Sequence, residues 1–190
     1  MKFRLISESL IQGAALLILG LMSLSFLALA DSSKVDFGVP TFGGSGCEGG
    51  HGARVSISGG QLDFSVGLEA RSDGSLKREA CTAAIPVKIS AKQKLVVVPA
   101  SVAGTANIGS GSKGTLNVSA FFSGATGKSQ KFEFDETKKG SFSESLTAGN
   151  EESACGKDTI INLQASVMVD KAGTLSLKSF KNSYRVEDCQ

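Results

Sequence analysis

The sequence predicts an all-β chain: a single antiparallel β-sandwich or jelly-roll-like domain at 31–190, preceded by an N-terminal signal segment at 1–30. Three observations predict it. Apolar residues recur with a period of two through most of the chain, the spacing that gives a strand one buried and one wet face. Turn sequences rich in glycine and serine interrupt these runs at short intervals. After residue 30 no stretch carries a persuasive helical period. Short strands separated in this way pack as two sheets or a jelly roll.

The leader is read first. Lys2 and Arg4 give a positive start, Leu10 to Ala30 is almost wholly apolar, and Ala28-Leu29-Ala30 precedes Asp31. Small residues at the −3 and −1 positions suit signal peptidase, so cleavage is expected after Ala30. The alternative is an uncleaved anchor, because the apolar run approaches the ~20 residues that span a bilayer. No cysteine lies near the junction, which argues against a lipid-anchored form, and no second long apolar run follows. The expectation is a secreted domain, periplasmic or extracellular, with no membrane association after cleavage.

Strands follow in order. Val55 and Ile57 lead through Ser58-Gly59-Gly60-Gln61 into Leu62, Phe64, Val66 and Leu68, a tight hairpin signal. Ser65 to Ala80 holds helix-tolerant residues, Glu69, Arg71, Lys77, Arg78 and Glu79, but Gly67 and Gly74 weaken a helix there. A long mobile loop or a short hairpin is expected instead. Leu95 to Val98 is apolar on both faces and reads as a central strand. Leu116, Val118, Ala120 and Phe122 alternate with Asn117 and Ser119. Phe132 and Phe134 alternate with charged residues. Ile161, Leu163, Ala165, Val167 and Val169 alternate with Asn162, Gln164 and Ser166, and Phe180, Tyr184 and Val186 share a parity. Breaks are expected at Ser72-Asp73-Gly74, Gly109-Ser110-Gly111, Gly124-Ala125-Thr126-Gly127, Lys139-Gly140 and Ala172-Gly173. A domain of this size buries ~70% of its unfolded surface, here with aliphatic side chains and Phe but no Trp.

Charge excludes several partners. The 190 residues carry 20 Lys and Arg against 18 Asp and Glu, and removing the leader leaves 18 against 17. Neither a nucleic-acid footprint nor a polyacidic tail is present, so no nucleic-acid partner is expected. Lys138-Lys139 and Lys178, Lys181 and Arg185 are the local cationic groups, read as solvated strand faces.

Cys47, Cys81, Cys155 and Cys189 allow three pairings. In an exported chain without a CxxC pair or a second His, structural disulfides are expected rather than a metal or redox site. Cys81 shares parity with Ile85, Val87 and Ile89 and is expected to face the core. The pairs Cys47–Cys81 and Cys155–Cys189 are favoured, each clipping a segment to the strand nearest it in sequence.

No catalytic, cofactor-binding or metal-binding residue is assigned. His51 lies in the glycine-rich loop beside Cys47 and Glu48. It is read as an exposed loop residue, since no Gly-x-Ser-x-Gly elbow accompanies it. That loop, and Gly109-Ser110-Gly111-Ser112-Lys113-Gly114, could cradle an anion through backbone amides. Neither carries the Gly-Lys-Ser/Thr signature. Glu151-Glu152, Glu187-Asp188 and Asp135-Glu136 are adjacent pairs, which point to opposite faces of a strand and form no glycosidase dyad by themselves. Asn117-Val118-Ser119 is a formal glycosylation acceptor placed in a strand.

Gly46-Cys47 after an extended start, charges just before Cys81 with Pro86 in the following strand, and Phe121-Phe122-Ser123-Gly124 form one set of landmarks. Ala154-Cys155-Gly156 leading into Ile161–Val167, and Tyr184 before Cys189, complete it. In this order the chain resembles, as a distant member, the secreted family called domain of unknown function 4360, over roughly Val35 to Cys189. The resemblance implies export, paired cysteines and a β-rich fold, and it implies no activity. The functional expectation is a non-enzymatic binding or structural domain of the envelope or extracellular space, acting on an unknown macromolecule or cell-surface component, without a cofactor. The alternatives are a carbohydrate-binding module, which the scarcity of Trp and Tyr disfavours, and a secreted hydrolase.

Overall fold

The hairpin at Ser58–Gln61 shows how local chemistry starts the fold. Gly59 (φ 55°) and Gly60 (φ 77°) both take left-handed conformations, as a two-residue type I′ turn demands. Ser58 pairs with Gln61, and the ladder runs back to Arg54 opposite Ser65. The computed structural model describes residues 35–47 and 52–190, all within one unit, Ser33–Gln190. The leader, its expected cleavage site and His51 lie outside the described residues.

Strands β1 (Asp36–Phe37), β2 (Thr41–Gly43), β3 (Arg54–Ser58), β4 (Gln61–Asp73), β5 (Lys77–Lys88) and β6 (Gln93–Ile108) come first. They are followed by β7 (Gly114–Phe122), β8 (Ser129–Phe134), β9 (Lys139–Ser145), β10 (Glu151–Glu152), β11 (Thr159–Val169) and β12 (Ala172–Asp188). One sheet has the order β1-β5-β11-β7-β8, with β2 also on β5, and the second has β10-β6-β12-β4-β3, with β9 also on β6. Every pairing is antiparallel. The fold is an all-β sandwich. Between the sheets lie Leu62, Phe64, Leu68, Ile85, Leu116, Ile161, Leu163, Leu175, Leu177 and Phe180, all fully buried.

The segment 65–80 is neither a mobile loop nor a short hairpin. It is the second half of β4, a turn at 74–76 and the start of β5, and those two strands belong to different sheets. Its even-numbered residues Val66, Leu68, Ala70 and Ser72 are buried while Glu69, Arg71 and Asp73 are exposed. Glu69 and Arg71, which read as helix-tolerant, are part of the wet half of a strand alternation. The break expected at Ala172-Gly173 falls two residues earlier, at Asp170-Lys171. The apolar run Leu95–Val98 lies in β6, which is flanked by β10 and β12.

Two register shifts let long strands keep the core filled. On β12, Leu175 and Leu177 face the core before Lys178, and Phe180 and Asn182 are buried after it. The register against both neighbours shifts between Leu177 and Ser179. On β6 the parity changes from Leu95 and Val97 to Val102, Ala106 and Ile108, across a shift at Pro99–Ser101. A proline has no N–H to give a ladder, and a bulge is where an inner strand tolerates one.

Candidate functional site

The structure brings the cysteines together in two pairs. Cys47, just after β2, is bonded to Cys81 in mid-β5 with Cα atoms 4.9 Å apart. Cys155, before β11, is bonded to Cys189 after β12 with Cα atoms 6.0 Å apart. Cys81 is fully buried, whereas Cys155 is exposed.

The glycine-rich loop 109–114 fills its own amide cradle. The Gly111 N–H donates to Glu136 Oε2 at 2.8 Å, and the Lys113 N–H donates to Asp170 Oδ1 at 2.7 Å. Hydrogen bonds from the Ser110 hydroxyl and then from the Gly111 N–H hold the Glu136 carboxyl below its ordinary value. The loop therefore staples the β6–β7 crossover to the turns on either side of it, and the Gly111 and Lys113 amides are committed to carboxylates of the chain itself. The other glycine-rich loop lies partly outside the described residues, Glu48 and His51 included.

Two acidic residues that are distant in sequence do converge. Lys94 Nζ lies 2.6 Å from Glu152 Oε2 and 3.4 Å from Glu187 Oε2, and Arg185 Nε lies 2.7 Å from Glu187 Oε1. The hydrogen bond to Glu152 leads the causes that raise Lys94, and the Arg185 hydrogen bond leads those that lower Glu187. Glu187 stays ionised at neutral pH, so this cluster is an ion-pair network at the sandwich rim rather than an acid paired with a base. Among the described residues no group of three or more His, Cys, Asp or Glu could hold a metal ion.

A different feature forms on the outer face of the first sheet. Alternation turns Asn162, Gln164 and Ser166 of β11 and Asn117, Ser119 and Phe121 of β7 away from the core. Antiparallel register then aligns them. Thr82, Gln164, Ser119 and Ser129 form one cross-strand row, and Ala80, Ser166, Asn117 and Lys131 form the next. The turn after β7 folds toward Phe121, where Gly127 is required because a Cβ there would lie 2.9 Å from the ring. The result is an open groove of about 460 Å³ lined by Asn117, Ser119, Phe121, Gln164, Ser166 and Arg78, with 125–127 as one wall.

The groove's chemistry is that of uncharged hydrogen-bonding groups. Ser119 and Ser166 are only 9% and 6% exposed and form the floor. Ser119 Oγ donates to Gln164 Oε1 over 3.5 Å, and Asn162 Nδ2 donates to Ser123 Oγ at 3.4 Å. Among the described residues the side chains of Asn117 and Ser166 and the Gln164 amide nitrogen make no hydrogen bond. Among the described residues Arg78 is the one charged residue in the lining. A second groove of about 450 Å³ lies on the opposite sheet beside the Lys178 bulge, lined by Arg54, Ser65, Glu69 and Ser176 among others. Sequence reading listed most of the first groove's residues as the wet partners in their strands. Its one available signal was that two separate strands carry amides and hydroxyls, rather than charges, at alternate positions.

Among solved structures the chain is similar to TmCBM61 in complex with β-1,4-galactotriose, at 14% identity over 78% of this chain and 88% of that one, with a TM-score of 0.29. It is also similar to accessory secretory protein 1, 2 and 3 of Streptococcus pneumoniae, at 11% identity over 71% and 88% with a TM-score of 0.22. A CBM4 structure matches at 13% identity over 73% and 86%, also with a TM-score of 0.22. No curated protein matches the chain. The family model described as Domain of unknown function (DUF4360) matches residues 33–187. That span takes in Cys47, Cys81 and Cys155 and every strand of the groove, and the chain belongs to the DUF4360 family.

Proposed function

We propose that this protein is an exported, non-enzymatic binding domain whose ligand is a glycan held in the groove on β7 and β11. The observation that carries the reading is the lining itself. Unpaired amide and hydroxyl groups on rigid strands suit a polyhydroxylated ligand, because they exchange hydrogen bonds with water for hydrogen bonds of the same kind. The groove is open rather than enclosed, and among the described residues its polar lining is amides, hydroxyls and one arginine, a set suited to binding. Export is supported by the leader pattern and by the two disulfides, which persist in oxidising compartments.

The test is a glycan array probed with the 31–190 domain, alongside the Asn117→Ala/Gln164→Ala double variant. Both positions lie on the solvent side of their strands, so folding should survive. Binding by the parent and a loss of about tenfold or more in the variant is the expected result. Failure of the parent to retain any glycan, or equal retention by the variant, would overturn the reading.

A further inference from the structure

The groove is not uniformly neutral. Arg78 stands at its end on β5, exposed and lining the same space as Asn117, Ser166 and Gln164. Among the described residues its guanidinium has no ion-pair partner. In its cross-strand row the neighbours are Met168 and then Thr115, with Glu133 only on the fourth strand. Strands lie about 4.8 Å apart, which puts that strand roughly 14 Å away. The Glu133 carboxylate is also already engaged by Lys131, whose hydrogen bond leads the causes that hold it below its ordinary value. Among the described residues no carboxylate lines the groove.

An unpaired guanidinium beside neutral amides and hydroxyls is a two-part recognition surface. The planar fork of Arg matches a carboxylate with two parallel N–H···O bonds, whereas amides and hydroxyls read sugar hydroxyl groups. We infer that the groove takes an acidic glycan of the uronic-acid type, with the sugar carboxylate on Arg78 and ring hydroxyls on Asn117, Gln164 and Ser166. This inference rests on the glycan reading above and narrows it to one class.

The test uses one polymer backbone in two charge states, polygalacturonate and its fully methyl-esterified form, with a neutral β-glucan and a sulfated galactan as further arms. Binding is measured by titration calorimetry with the 31–190 domain. Polygalacturonate should bind about tenfold more tightly than the ester. Arg78→Gln should remove that preference, so that acid and ester bind the variant with equal affinity. Arg71→Gln, an exposed position on the outer face of the opposite sheet, should leave the preference intact and so separates local recognition from overall charge. Equal binding of acid and ester overturns the inference, as does a preference that survives Arg78→Gln, one lost equally in Arg71→Gln, or stronger retention of the sulfated galactan. Binding of the neutral glucan with no preference for acid would sink this inference and leave the glycan reading standing. Retention of none of the four polymers would remove both.

Discussion

At the scale of single residues, the polar side chains of this protein divide into those that satisfy the fold and those left free. Glu136 belongs to the first group, spending its carboxylate on the backbone of loop 109–114. Its folded value is depressed, so its stabilising contribution is complete well above the ordinary carboxylate value of 4.5 and is lost as pH falls through the lower folded value. A carboxyl-carbon NMR titration should place the Glu136 midpoint below 4.5 and move it upward in Ser110→Ala, because the Ser110 hydroxyl is the leading cause. An unmoved midpoint would assign the shift to the Gly111 amide instead. Asn182 shows where alternation by itself leaves a residue unexplained. It is 1% exposed between Phe180 and Tyr184, yet its Oδ1 has no partner. Its Nδ2 donates only a long hydrogen bond, 3.5 Å, to the Phe180 carbonyl. The groove residues were legible singly, as the wet members of alternating runs, but nothing in their spacing places Gln164 opposite Ser119.

At the scale of elements, the unusual strands are β6 and β12, with 16 and 17 residues. A twisted strand of that length drifts out of register with its neighbours, and the bulges restore an apolar residue to the core at each step. Gly104 lies beside one of these corrections, paired with Leu177 and Phe142. A methyl group there would overlap the Ser176 carbonyl and lie 2.7 Å from Phe142 Cζ. Gly104→Ala should therefore lower stability by about 2–3 kcal/mol, the overpacking range, seen as a lower urea midpoint with an unchanged m-value. The sequence shows Gly104 only as a glycine within a run of small residues. The parity of Phe180, Tyr184 and Val186 was readable, whereas its reconciliation with Leu175 and Leu177 needs the bulge. The charged 65–80 segment misled for the opposite reason. Local propensity weakly favoured a loop, and burial of Val66, Leu68 and Ala70 against the facing sheet outweighed it.

At the scale of the whole molecule, two covalent clips with equal sequence separations, 34 residues each, tie the sandwich together. The chain-entropy account gives each roughly 3–4 kcal/mol, so by loop length alone they are equivalent. The structure separates them. Cys81 is fully buried within β5 while Cys155 is exposed, and Ala at position 81 adds a cavity cost. The Cys47→Ala/Cys81→Ala pair should unfold at lower urea than the Cys155→Ala/Cys189→Ala pair, by about 1 kcal/mol. Intact mass of the exported protein should correspond to a chain starting at Asp31 with no thiol open to alkylation. The sequence by itself determined the layered all-β class, the turn at Gly59-Gly60 and the inward side of the regularly alternating strands such as β7 and β11, because period-two burial and left-handed turn residues are local properties of the chain. Only the tertiary structure decided which strands lie side by side. Lateral pairing joins residues such as Thr82 and Gln164 that no local pattern relates, and it is this pairing that assembles scattered amides and Arg78 into a single groove.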